Sequence, residues 1–143
     1  MAYDAAQLLQ MTQSQLDDLF RASPAGPTPN GEAVGTAIIA PDTKYTASIA
    51  QFISHFAWQG KVFDAPRKLL KNRISVLGLE AIIAEVAVGE SWLDNKPCIV
   101  LDYSKTSLVA HWIRDEIRLV APKRYLGKVY WGKDRLIDFC LQF

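Results

Sequence analysis

The feature that most limits what this chain can fold into is a period of two: beyond Gly60, apolar and polar residues alternate to the C-terminus. Alternation puts successive side chains on opposite faces of a strand, so each strand offers one face to a core. The predicted strands are residues 61–65, 68–76, 79–88, 97–104, 112–120, 125–131 and 135–143. Between them lies turn chemistry: Ala65-Pro66, Gly78, Gly89 through Asp94-Asn95, Ala121-Pro122 and Gly132-Lys133-Asp134. Connections this short join antiparallel neighbours, because a parallel crossover takes a dozen or more residues. The result is a meander of six or seven strands. So long a sheet has two edges to satisfy, and curling it into a barrel removes both.

The first part of the chain reads differently. From Asp4 to about Ala22, Ala5, Leu8, Leu9, Leu16, Leu19 and Phe20 recur at helical spacing. Asp4 with Gln7, and Thr12 with Gln15, have the form of capping boxes, so either one helix or two short ones would fit. Residues 23–35 carry three of the seven prolines and three of the eight glycines, which predicts a loop or short linker. Residues 36–40 are a brief β-prone run ended by Pro41-Asp42. Thr43 could cap a further helix through about Trp58, with Ile49, Phe52, Ile53 and Phe56 on one stripe. The expected fold class is mainly β: one domain over residues 1–143, with a helical and loop cap over 1–58 and an antiparallel barrel over 59–143. About seven to eight strands form that barrel, and the helices cover an end or an open seam. A mass of 16.0 kDa with 50% hydrophobic residues suits one core.

Two strands put charges where apolar residues are expected. In 112–120, Ile113, Asp115, Ile117 and Leu119 share one face, while Trp112, Arg114, Glu116 and Arg118 share the other. If the first set points inward, Asp115 is a carboxylate among apolar side chains; if the second does, the interior holds two guanidinium groups and a carboxylate. The pattern does not choose between them. Asp102 follows Cys98 and Val100 on one face of the neighbouring strand, and Tyr103 follows Ile99 and Leu101 on the other. An inward Asp102 would want Arg114 or Arg118 as partner, since an unpaired buried charge is costly. The alternative is a solvated outer stripe of cross-strand ion pairs.

Signatures of catalysis or cofactor binding are absent from the pattern. His55 and His111 have no ligand partner at metal spacing, so no metal site is expected. His111 with Asp102 or Asp115 could form an acid–base pair if folding joins them. Ser91 is not in a nucleophile elbow, and Gly26, Gly31 and Gly35 are too widely spaced to cradle a phosphate, so no cofactor is expected. Cys98 and Cys140 lie in apolar runs and read as reduced core residues. The N-terminus lacks a basic and apolar leader, which points to the cytoplasm, and charges interrupt every run that could span a membrane. A net charge of +1 disfavours nucleic acid as a partner. Two local stretches, 61–73 and 123–135, each carry five bases against one acid; Tyr125, Tyr130 and Trp131 interleave the second. Trp58, Trp92, Trp112 and Trp131 fall near the ends of predicted elements, where an aromatic packs a barrel mouth or gates a ligand.

The run Phe56-Ala-Trp-Gln-Gly-Lys-Val-Phe, leading into antiparallel strands, resembles the start of lipocalin-like, calycin-type barrels, with a tryptophan and a glycine at the closed end. Here Trp58 precedes Gly60, whereas lipocalins have Gly-x-Trp. Taken with Pro29-Asn-Gly, Asn72-Arg-Ile, Ser91-Trp-Leu-Asp, Ile99-Val-Leu-Asp-Tyr-Ser and Trp112-Ile-Arg-Asp-Glu-Ile-Arg, the chain is similar to a group of small uncharacterised bacterial proteins of lipocalin-like fold. The resemblance covers about residues 24 to 143 and implies a cavity for a small apolar or amphipathic molecule. Trp58, Asp102, Tyr103, Trp112, Arg114, Glu116, Arg118 and Tyr130 are the candidate ligand contacts. The rival reading is a cofactor-independent isomerase, cyclase or hydratase using Asp102, Tyr103, His111 or Asp115 as acid or base, with Arg114 stabilising an anion. A module for binding protein or nucleic acid is the third, and a homo-oligomer is left open.

Overall fold

A computed structural model describes residues 3–39, 59–74, 79–107 and 110–143. Two helices open the chain, α1 (Ala5–Leu9) and α2 (Gln13–Ala22), and each starts at one of the capping boxes. Gln7 N–H donates to Asp4 at 2.8 Å and Asp4 N–H donates back to the Gln7 side chain at 3.0 Å; Thr12 and Gln15 repeat the exchange at 3.2 and 3.0 Å. The second box is what splits the helix. An N-cap needs extended backbone, and Thr12 has ψ 164°, so helical geometry cannot run through it.

Eight strands follow: β1 (Gly31–Ile38), β2 (Gly60–Asp64), β3 (Leu69–Ile74), β4 (Leu79–Glu90), β5 (Pro97–Asp102), β6 (Ile113–Ala121), β7 (Arg124–Trp131) and β8 (Asp134–Gln142). They close into a barrel in sequence order, every neighbouring pair antiparallel. The barrel therefore begins at Gly31, inside the segment whose prolines and glycines predict a loop. Its physical reason is a shared strand: residues 31–34 pair with β2 and residues 34–38 pair with β8, so β1 must bend between two neighbours. Glycine suits that crowding. Gly60, at φ 150°, lies so close to β1 that a Cβ there would meet the Ala33 carbonyl oxygen at 2.1 Å. The helix expected over 43–58, with His55 and Trp58, lies outside the described residues.

Closure divides the side chains into an interior and an outer set. Ala33, Phe63, Leu70, Ala84, Val86, Ile99, Leu101, Ile117, Tyr125, Phe139 and Leu141 come from all eight strands and form one buried cluster, the inside of the barrel. The second cluster is outside. Leu8, Leu16 and Phe20 are fully buried against Ile38, Cys98, Val100, Leu126 and Cys140, so the two helices lie on the outer wall. Each such side chain is worth about 1.5–3 kcal/mol removed from water. Both cysteines are free and buried, and burial pushes the Cys98 thiol up to about 12 and Cys140 to about 11.

The lower end, where β1 begins, is packed shut. The Phe143 ring packs tilted against Phe63 at 5.6 Å and edge-on to Tyr125 at 5.7 Å. The segment after α2 crosses this end: Tyr125 Oη donates to the Pro27 carbonyl at 2.6 Å, and Leu119 N–H donates to that of Pro24 at 3.0 Å. At the upper end β1, β3, β5 and β7 finish, and the even strands begin.

Candidate functional site

Four polar side chains meet inside the barrel near its upper end. Lys61 is the second residue of β2, and its register partners are Ala33 on β1 and Asn72 on β3. Asp115 on β6 shares the inward face with Ile113 and Ile117, and Tyr103 follows β5 on the face of Ile99 and Leu101. All four are nearly inaccessible: Lys61 3%, Asn72 5%, Tyr103 2% and Asp115 3%.

Their hydrogen bonds interlock. Lys61 Nζ donates to Asn72 Oδ1 at 2.6 Å and Tyr103 Oη at 2.7 Å, and lies 3.1 Å from Asp115 Oδ2. Tyr103 Oη donates to Asp115 Oδ2 at 3.2 Å while accepting from Asn72 Nδ2 at 2.8 Å. Asn72 Nδ2 also donates to the Ile82 carbonyl at 2.8 Å. That carbonyl is turned by a β-bulge: Lys71 pairs with Ile83 and Asn72 with Ala81, leaving Ile82 unpaired at φ 57°. A β-branched residue in the left-handed region is strained, and such strain persists only where the surroundings hold it. One atom is left over. Asp115 Oδ1 is buried and has no hydrogen-bond partner among the described residues.

Burial governs the protonation of the quartet. It pushes the Lys61 ammonium below its ordinary range, against the opposing charge of Asp115. The Asp115 carboxyl is pushed up by burial although Lys61 and Tyr103 pull it down. Tyr103 rises well above the usual phenol value, first through burial and then through the Asp115 charge, so it remains a protonated donor at neutral pH. The Lys61 ammonium also faces the Phe139 ring at 5.3 Å and that of Tyr103 at 5.4 Å.

Of the residues singled out from sequence, Tyr103 and Asp115 are brought together here. Once Asp115 points in, strand alternation puts Arg114, Glu116 and Arg118 on the outer face. Arg114 donates to Glu116 at 3.0 Å and to the Glu90 carbonyl at 2.7 Å, stacking over Trp92 at 4.3 Å. Glu116 also accepts from Ser91 Oγ at 2.6 Å and Trp92 N–H at 2.8 Å. Arg118 grips Asp94 through two bonds of 2.7 and 2.8 Å and donates to the Phe20 carbonyl at 2.9 Å, fixing the end of α2. Tyr130 is buried on the same outer wall, edge-on to Trp92 at 5.1 Å. Asp102 is in register with Arg114 and caps Ser104 N–H at 2.8 Å. His111 and Trp112 are exposed just before β6, with rings 4.3 Å apart. Among the described residues, no hydrogen bond or ion pair joins any of these seven to the quartet; Trp58 is outside the described residues.

Lys61 and Asn72 escaped the sequence reading. Lys61 was legible in principle, because it stands two residues before Phe63 and therefore shares its inward face, as Asp115 does with Ile117. Part of the two basic stretches is spent internally: Lys61 here, and Lys128 and Arg135 against Asp17 under α2, at 2.7 and 2.6 Å, while Arg67, Lys68, Lys71, Lys123 and Lys133 stay exposed.

The fold and site thus define a closed, eight-stranded, antiparallel up-and-down barrel with helices on its outer wall and a buried Lys-Asn-Tyr-Asp quartet inside. It is similar to the crystal structure of a protein from Thermomonospora curvata, with TM-score 0.67 and 19% identity over 93% of this chain and 88% of that one. At that identity the likeness speaks to the fold alone. No family model matches the chain, and no curated protein does. Among the described residues, no helix is long and apolar enough to cross a membrane, and no three His, Cys, Asp or Glu residues are grouped to hold a metal.

Proposed function

We propose that this protein binds a small apolar or amphipathic molecule inside the barrel, with the polar end of the ligand at the Lys61, Asn72, Tyr103 and Asp115 quartet. The observation that carries this reading is the buried Asp115 Oδ1, a strong acceptor with no hydrogen-bond partner among the described residues. Apolar walls with a few convergent polar groups are the usual make-up of a small-molecule site. The lower end is sealed by aromatics. The next-neighbour order of the eight strands supports a lipocalin-like assignment, the architecture in which a barrel holds one small ligand. The test is titration with N-phenylnaphthylamine, a neutral apolar dye that fluoresces when removed from water, together with native mass spectrometry of gently purified protein. Saturable binding of one dye per chain, displaced by a long-chain amphiphile, is the expected result. A chain that takes up no dye and carries no small molecule overturns the reading.

A second reading has its own support. Lys61, Tyr103 and Asp115 are hydrogen-bonded to one another and all shifted by burial, as acid–base groups often are, which favours a cofactor-independent enzyme of the isomerase, cyclase or hydratase type. Recovery of the bound molecule chemically unchanged after long incubation would count against it.

A further inference from the structure

The quartet also restricts the head group that can sit on it. Nearly every polar atom in it is engaged: Lys61 faces three oxygens, Asn72 Nδ2 donates to Ile82 and Tyr103, and Asp115 Oδ2 receives both Lys61 and Tyr103. Of the quartet's polar atoms, Asp115 Oδ1 alone is buried with no hydrogen-bond partner among the described residues. An acceptor in that position is satisfied by a donor and by nothing else.

Charge narrows the choice further. Among the described residues Lys61 and Asp115 are the quartet's two charges and offset one another, so a head group of either sign would add a charge that the quartet does not compensate. A carboxylate is the worst case, because it would approach Asp115 while the Lys61 donors are turned to Asn72, Tyr103 and Asp115 itself.

We propose that the ligand, bound as read above, is an uncharged hydrogen-bond donor such as an alcohol, seated on Asp115 Oδ1, and that the site selects against carboxylates. This rests on the binding reading and adds a head-group class to it. The experiment uses the full chain loaded with N-phenylnaphthylamine and three competitors of one tail length: decanol, methoxydecane and decanoate. Decanol donates and accepts, the ether only accepts, and decanoate is anionic. Decanol is expected to compete at least about tenfold better than either of the others, the scale of one hydrogen bond to a charged acceptor. In Asp115→Asn the amide oxygen stays toward Lys61 and the Nδ2 donor replaces Oδ1, so the preference for decanol over methoxydecane collapses or reverses.

Equal competition by decanol and its ether, as when a buried water satisfies Oδ1, overturns the head-group assignment, and so does decanoate binding as tightly as decanol. In both cases the binding reading survives. Absence of dye binding and of all competition overturns both together. The wild-type ranking decides the matter alone if Asp115→Asn does not fold.

Discussion

Lys61 and Asp115 face each other across the barrel at 3.1 Å, both almost inaccessible, and each is the reason the other can be there. Removing one partner of such a pair leaves a buried charge with no compensation, which costs about 3–5 kcal/mol. Lys61→Met should therefore lose that much stability in urea denaturation, with Lys61→Met and Asp115→Leu combined recovering part of it. A double variant as destabilised as the sum of the two single ones would show that the pair is not coupled. Half of this site was legible. Asp115 between Ile113 and Ile117, and Tyr103 after Leu101, stand out because a polar group interrupts an apolar face. Lys61 did not, since next to Gly60 and within a basic stretch it has the look of a solvated strand end. Asn72 was invisible for another reason: the bulge at Ile82 that gives it a backbone partner depends on pairing between strands, not on local sequence.

Helix α2 is held to the outer wall by charge as well as by Leu16 and Phe20. Asp17 accepts from Lys128 at 2.7 Å and from Arg135 at 2.6 and 2.8 Å, while Lys128 also reaches Asp138 at 2.9 Å and Gln13 donates to Asp17 at 3.0 Å. Burial pushes the Asp17 carboxyl up, but the bonds from Arg135 and Lys128 outweigh it and hold the group at about 2, below its ordinary 3.8. A carboxyl lowered on folding contributes stability above its unfolded value and loses it as pH falls through the folded one. Asp17→Asn should thus cost about 2 kcal/mol from pH 5 to 7, by the linkage between shift and stability. That difference from wild type should fade between about pH 4 and pH 2, as paired urea melts at each pH would record. Asp138, pushed up first by burial and also by the Asp17 charge, has the opposite sign. A cost independent of pH would mean that Asp17 acts by packing alone. The helices themselves were plain from sequence, because a capping box is a local exchange between residues three apart. Their seat on the outer wall was not, as Asp17, Lys128 and Arg135 are joined only by the fold.

The order of the strands follows directly from short turns and strict alternation, but of the strand that closes the circle only the β-prone end, residues 36–38, is legible. β1 contains Gly31, Ala33, Gly35 and Ala37, residues with little strand propensity, and its role is to present backbone to β2 and β8 at once. Small side chains are what that position requires. The junction is tightest at Gly60, where an added Cβ would stand 2.1 Å from the Ala33 carbonyl oxygen and 2.9 Å from the Gly35 nitrogen, both backbone atoms that cannot rotate away. Gly60→Ala also puts a side chain at φ 150°, so the β1–β2 ladder has to part. The expected cost is about 3 kcal/mol or more, the upper range for overpacking and backbone strain. Because Lys61 is the next residue, opening the ladder there also carries the quartet apart. Amide exchange should accelerate through β1 and β2 while β6, β7 and β8 keep their protection, and N-phenylnaphthylamine should no longer bind. A Gly60→Ala protein that exchanges and binds like wild type would mean that β1 does not close the wall in solution, and that the barrel interior is not the binding site.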